Sequence, residues 1–228
     1  MGAVFDHKAW RHTGNTYGSL SVGDITQLNV NGVAKNFIVV HQGNPGSSLY
    51  DSSCDGTWLL MEDIYEIDSW RNDDYNIYDA SNVKFDCGAF KSELDSAVQA
   101  AIKSVKIPYV DGTGSGGNIA SGANGLSAEV FLLSGYEVGF TTSNNQSFPV
   151  DGAKLDYFES GSGATVAAKR IAKFNGSNSA WWLRSPYKGN KTNAWQVQSS
   201  GGYGHRHANT TGGVRPCFIM PSNQKIFS

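Results

Sequence analysis

Charge is what this chain has least of. Charged residues make up 17% of its 228 positions, the formal net charge is −2 and the pI is near 6.2. Nucleic acid asks for a basic face, so it is excluded as the main partner. Long hydrophobic runs are missing as well. None approaches the ~20 residues of a membrane span, so no membrane insertion is expected. The opening stretch MGAVFDHKAWRH has no apolar signal-peptide core, and Asp6 stands where a myristoylation motif wants Ser or Thr. The expectation is a chain made in the cytosol. Cysteine is scarce: Cys54, Cys87 and Cys217 form no short metal-ligand pair, and their odd number opposes a full disulfide framework. Three reduced, packing cysteines are expected, and a Cys54–Cys87 bridge stays open because sequence does not report distance. No period of about 20–50 residues repeats, which excludes solenoids and propellers.

Glycine and aromatic residues are abundant instead. With 27 Gly, 12% aromatics and 39% apolar residues, the composition suits strands and turns rather than a helical bundle. The length favours one domain. Residues 1–20 are polar and unpatterned and read as an arm or linker remnant, with the domain over 21–228. In ITQLNVNGVAKNFIVV, Asn31-Gly32 between apolar runs predicts a tight hairpin in which Leu28 and Val30 pair with Phe37 and Val39. The type of GTWLLMEDIYEIDSW is open, with Trp58, Leu59 and Ile64 assigned to the core. Phe90, Leu94, Val98, Ile102 and Val105 recur at three- or four-residue steps and predict one helix over 90–105. Residues 111–125 predict a flexible Gly/Ser/Asn loop. AEVFLLSGYEVGF predicts a strand and a short helix, and ATVAAKRIAKF a helix or strand.

The C-terminal block is the most regular. In NAWQVQS, alternation puts Trp195 and Val197 on a core face, and Ala194, Gln196 and Gln198 on an available one. WWLRS and GVRPCFIM predict its strand neighbours, with Pro216 at an edge or irregular position because it cannot donate a ladder hydrogen bond. Trp181, Leu183, Val197, Val214 and Phe218 are the expected anchors. Trp181, Trp182 and Trp195 are expected in the core, with only Trp195 open to partial exposure. Arg184 and Arg215 are expected to be structural.

The motifs WWLRSP, AWQVQSSG and GVRPCFIMP together resemble the C-terminal part of C-type-lectin-like domains of phage and gut-bacterial proteins, including variable proteins diversified by retroelements. VNGVAKNFIVVHQGNPGSSLYDSSCDGTWLLMEDIYE and FLLSGYEVGF resemble the phage-associated branch, so the likeness spans roughly residues 20–222. It implies an α+β C-type lectin-like fold with mixed antiparallel sheets, about two helices and long loops. Its last strands and loops would form a ligand-facing surface, with a variable region at about 181–220. In diversified members adenine replacement turns AAC codons into a restricted set, which includes those for Tyr203, Gly204, His205, Arg206, His207, Asn209 and Gly212. Gln196, Gln198, Lys188 and Lys191 lie outside that set.

The expected binding patch is Tyr187, Asn190, Asn193, Gln196, Gln198, Tyr203, His205, Arg206, His207 and Asn209, with Tyr203 and Arg206 as its anchors. His205-x-His207 lacks a third ligand nearby, so no metal is expected, and no cofactor. No Ser-His-Asp order, paired acid or phosphate loop stands out, and the Gly-rich 111–125 stretch lacks the Lys of a nucleotide loop. The expectation is therefore a non-enzymatic phage-tail protein that binds a host-surface protein or glycan. It would be located in the virion after cytoplasmic assembly, among other tail proteins, with a bacterial cytoplasmic or surface-associated location as the other possibility. Two alternatives are a purely structural virion protein and a relative of formylglycine-generating oxidases. The latter needs a cysteine pair, and only Cys217 lies near the C-terminus.

Overall fold

The computed structural model describes residues 15–46, 48–159 and 164–227. Two five-stranded sheets carry the fold. In the first, Ile25–Val30, Val33–Gln42, Thr57–Met61, Cys217–Met220 and Val130–Phe131 lie side by side in that order, all antiparallel. The second runs in the order Tyr203–His207, Asn193–Val197, Trp181–Pro186, Thr211–Val214 and Glu66–Ser69. It is antiparallel except where Trp181 meets Gly213 in parallel. With helices Asn82–Ser92, Ser96–Ala101 and Ala164–Ala168 and several short ladders, the architecture is α+β. Of the expected arm, residues 1–14 lie outside the described residues. Residues 15–20 belong to the packed body: Thr16 bridges Lys225 and Tyr17 is fully buried.

The Asn31-Gly32 hairpin forms with both turn residues at positive φ, 49° and 72°, as a two-residue turn on twisted strands demands. That turn fixes the register, so Leu28 faces Lys35 and Val30 faces Val33, while Phe37 faces Thr26. The expected Leu28/Val30 to Phe37/Val39 pairing is thus corrected: these residues share a face but are not opposite one another. Trp58, Leu59 and Ile64 are core, and their stretch splits into two strands, one in each sheet. The single helix expected over 90–105 is also corrected. All five stripe residues are buried, but the first helix ends at Ser92, Leu94 bridges to Val30, and Val105 already lies in a strand. Residues 111–125 are more ordered than a free loop, since Asn118–Ala120 pairs with Tyr109–Asp111. The short helix expected after Phe131 is a run of turns, whereas ATVAAKRIAKF contains both a helix, Ala164–Ala168, and a strand, Ala172–Phe174.

GVRPCFIM is not one strand. Thr211–Val214 stays in the second sheet, and Arg215-Pro216 hands the chain to the first, where Cys217–Met220 pairs with Thr57–Met61. Pro216 suits this crossing because it has no N–H to leave unpaired. Arg215 fastens the crossing: its Nε donates to Met61 O and its Nη2 to Glu62 O, both at 2.9 Å, and its guanidinium lies 4.9 Å from the Trp181 ring centre. Burial lowers its pKa to about 10. Arg184 and Glu137, both fully buried, form a bidentate pair with two 2.6 Å bonds. Tyr50 donates to the same carboxylate at 2.7 Å. Burial alone would lower the Arg184 pKa, but Glu137 reverses the sign and raises it. Both arginines are structural, one held by a carboxylate and the other by carbonyls.

Candidate functional site

The strand Tyr203–His207 is one edge of the second sheet, and its neighbour Asn193–Val197 is buried at every position. Alternation sorts the edge strand into two faces. Tyr203, His205 and His207 lie opposite Val197, Trp195 and Asn193, whereas Gly204 and Arg206 lie opposite Gln196 and Ala194 on the other face. The first face rests on an aromatic base. Trp195 stacks on Phe148 at 3.8 Å and 13°, and its Nε1 donates to Ser147 O. Tyr203 meets Phe140, Phe148 and Trp195 edge-on and donates its hydroxyl to Asn144 O at 3.1 Å.

On this base stands a pair of rings nearer to solvent. Tyr187 is half-buried and His205 exposed, and they stack at 4.2 Å with 23° between their planes. Both also contact Trp195. Asn193 fixes the histidine. Its Oδ1 accepts from Thr192 Oγ1 at 3.0 Å, which turns its Nδ2 toward His205 Nδ1 at 2.8 Å. Nδ1 therefore accepts, and the proton of the neutral imidazole sits on Nε2. Burial, and then the neighbouring His207, lower the His205 pKa.

The loop that delivers Tyr187 is held from beneath by Asn76, which is fully buried. Its Nδ2 donates toward Asn193 O, Asn190 O and Tyr187 O at 2.6, 3.0 and 3.2 Å, and its Oδ1 accepts from Gly114 N at 2.9 Å. Gly114 has to be glycine at this approach, because a Cβ there would lie 2.6 Å from Tyr187 O. The Gly-rich segment is thus a buttress of the patch. Asn76, Gly114, Phe148 and Asn144 escape a sequence reading because each reaches the patch from a distant, polar or Gly-rich stretch without periodicity.

The expected patch residues divide accordingly. Tyr187, Asn193, Tyr203 and His205 come together. His207 pairs with Asp74 at 3.0 Å beside them. Asn190 is exposed, but its Oδ1 accepts from Thr192 N and Asn193 N, so it shapes the loop. Gln198 is exposed and lies over Gly204, and Asn209 is exposed. Two expectations are corrected. Gln196 and Ala194 are buried, because their strand is covered on both faces. Arg206 is exposed on the face opposite Tyr203, so the two do not form one anchor pair. The expectation of core indoles holds: Trp181, Trp182 and Trp195 are all fully buried, so Trp195 has no exposed part. Gly212, within the codon set of diversified positions, is buried, and a Cβ there would lie 2.7 Å from the Trp182 indole.

All three cysteines are free and buried, which closes the Cys54–Cys87 question. Burial raises the thiol pKa of Cys54 to about 11 and those of Cys87 and Cys217 well above the ordinary range. Among the described residues no three His, Cys, Asp or Glu side chains are placed to hold a metal, and no helix is long and apolar enough to cross a membrane. Two cavities of about 670 and 710 Å³ lie elsewhere, one beneath the Asn31 hairpin and one beside the start of the first helix. A protein-family profile described as "Domain of unknown function (DUF6273)" matches residues 55–222. No curated protein and no solved structure matches the chain.

Proposed function

Because the chain belongs to the DUF6273 family, whose description assigns no role, function has to come from the patch, and we propose that this is a ligand-binding protein. It presents the Tyr187–His205 surface on a C-type lectin-like scaffold, as a phage-tail component that recognises a host-surface protein or glycan, and it performs no catalysis. The observation that carries this reading is a solvent-facing ring pair on a buried aromatic base, at the free edge of a sheet. Exposed groups there can change with little cost to the fold, since the base beneath does the packing. The virion location and the diversification of the loop and edge strand rest on the motif resemblance. Diversification would spare Gln196 and Gly212, which are packed. The Cys217 environment speaks against the oxidase alternative, because a thiol with a raised pKa is a poor thiolate.

The test is binding to host cells and to protein and glycan arrays by wild type, by a Tyr187→Ala/His205→Ala double variant, and by Arg206→Ala. The double variant should lose about 2 kcal/mol or more of affinity, roughly 30-fold. Undiminished binding by a folded double variant would move the site elsewhere.

A further inference from the structure

The hydrogen-bonding direction along the edge strand follows from the bonds at its two ends. Ala208 N donates to Thr192 O and Gln198 N to Gly202 O, each at 2.8 Å. In an antiparallel ladder the bonded pairs alternate, so the even-numbered residues of Tyr203–His207 turn their backbone groups inward to Asn193–Val197. Tyr203, His205 and His207 turn theirs outward. His207 O is already taken by Thr210 N and Thr210 Oγ1. Among the described residues no hydrogen bond reaches the N–H groups of Tyr203, His205 and His207 or the C=O groups of Tyr203 and His205. They form a row of acceptors and donors two residues apart, which is the template that an added strand requires.

Charge decides what can lie on that row. Arg206 projects from the strand and Lys188 from the neighbouring loop, and both are exposed without a carboxylate partner among the described residues. Lys191 lies over the Tyr75 ring at 5.0 Å. Of the nearby acids, Asp73 is neutralised by Arg71, and Asp74 has only the His207 imidazole beside it, so three cations stand against one carboxylate. The unspent charge at this edge is therefore positive, in a chain whose formal net charge is −2. A second copy adding edge to edge would bring like charges together.

We propose that the free edge of Tyr203–His207 binds an extended, acidic polypeptide segment of its partner by strand addition. This rests on the ligand-binding reading above and names the class of partner. Backbone pairing supplies register, while Arg206, Lys188 and Lys191 select acidic side chains.

The probe is a labelled nine-residue peptide of alternating Val and Glu. Its controls are the same peptide with Lys for Glu, and an acidic peptide with alternate residues replaced by Pro. The protein is used as wild type, His205→Ala and His205→Pro. The alanine variant removes only the ring, whereas proline also removes one outward N–H and leaves the inward ladder intact. The Val/Glu peptide should bind His205→Pro at least tenfold more weakly than His205→Ala, and neither control peptide should bind wild type. Hydrogen exchange gives a second readout that holds even when the proline variant does not fold: the peptide should newly protect the amides of Tyr203, His205 and His207. Equal binding to the two variants, equal binding of the Lys peptide, unchanged exchange at those amides, or self-association of wild type through this edge would each overturn the proposal. If the peptide fails while cell binding still depends on Tyr187 and His205, strand addition falls and the ligand surface stands. If cell binding ignores both rings, the ligand surface itself falls.

Discussion

Replacing Asn76 by Ala removes a fully buried side chain from beneath the patch, and it should disturb the surface above. The substitution leaves Gly114 N, Tyr187 O and Asn190 O without their partner, while Asn193 O keeps its bond from Tyr187 N. A buried group stripped of its partner costs ~1–3 kcal/mol. Three groups at the lower end, since the loop can open to water, give roughly 3 kcal/mol. In a domain of this size that lowers Tm by about 6–12 °C. The second consequence is local: without the three carbonyl bonds, Tyr187 loses its fixed place over His205. Thermal unfolding measures the first effect, and the ring-current shifts of the His205 protons measure the second. Asn76→Asp separates the contributions, because it keeps an acceptor for Gly114 N but turns charge toward the carbonyls it once served, and it should be at least as damaging as alanine. An unchanged Tm for Asn76→Ala, or unaltered His205 shifts in the folded variant, would refute the buttress.

Two further outcomes follow from packing and charge. Gly212→Ser should lose about 1–3 kcal/mol to the clash with Trp182, whereas exposed Asn209→Ser should stay within ~0.5 kcal/mol of wild type, both by urea unfolding; equal losses would show that Gly212 is as tolerant as a loop position. The Asp86 pKa is raised to about 7, first by burial and then by Glu66 and Asp68. Folding therefore favours its protonated form, so its stabilising contribution is full in acid and is lost as pH rises from the ordinary carboxylate range through about 7. Asp86→Asn should flatten the decline in stability over that window, and an unchanged pH profile in urea unfolding would contradict the burial of this carboxyl.

Local chemistry determined the tight hairpin, because Asn31-Gly32 accepts positive φ, and it determined the core membership of Phe90, Leu94, Val98, Ile102 and Val105, because apolar residues are buried wherever the chain takes them. It also placed His205 and His207 among the exposed residues and Trp181, Leu183, Val197, Val214 and Phe218 among the buried ones. It could not decide whether that apolar stripe was one helix, since the break at Leu94 is made by a bridge to Val30 more than sixty positions away. Nor could it decide that Gln196 is buried, because strand alternation yields two faces and says nothing of what covers each. The patch depended most on tertiary structure. Tyr187 and His205 belong to different strands and loops, and they stack because Asn193 holds one ring while Asn76, reaching across from a polar surface stretch, holds the loop of the other. Hydrogen bonds between residues so far apart in the chain leave no periodic trace in it, and so only the folded molecule shows them.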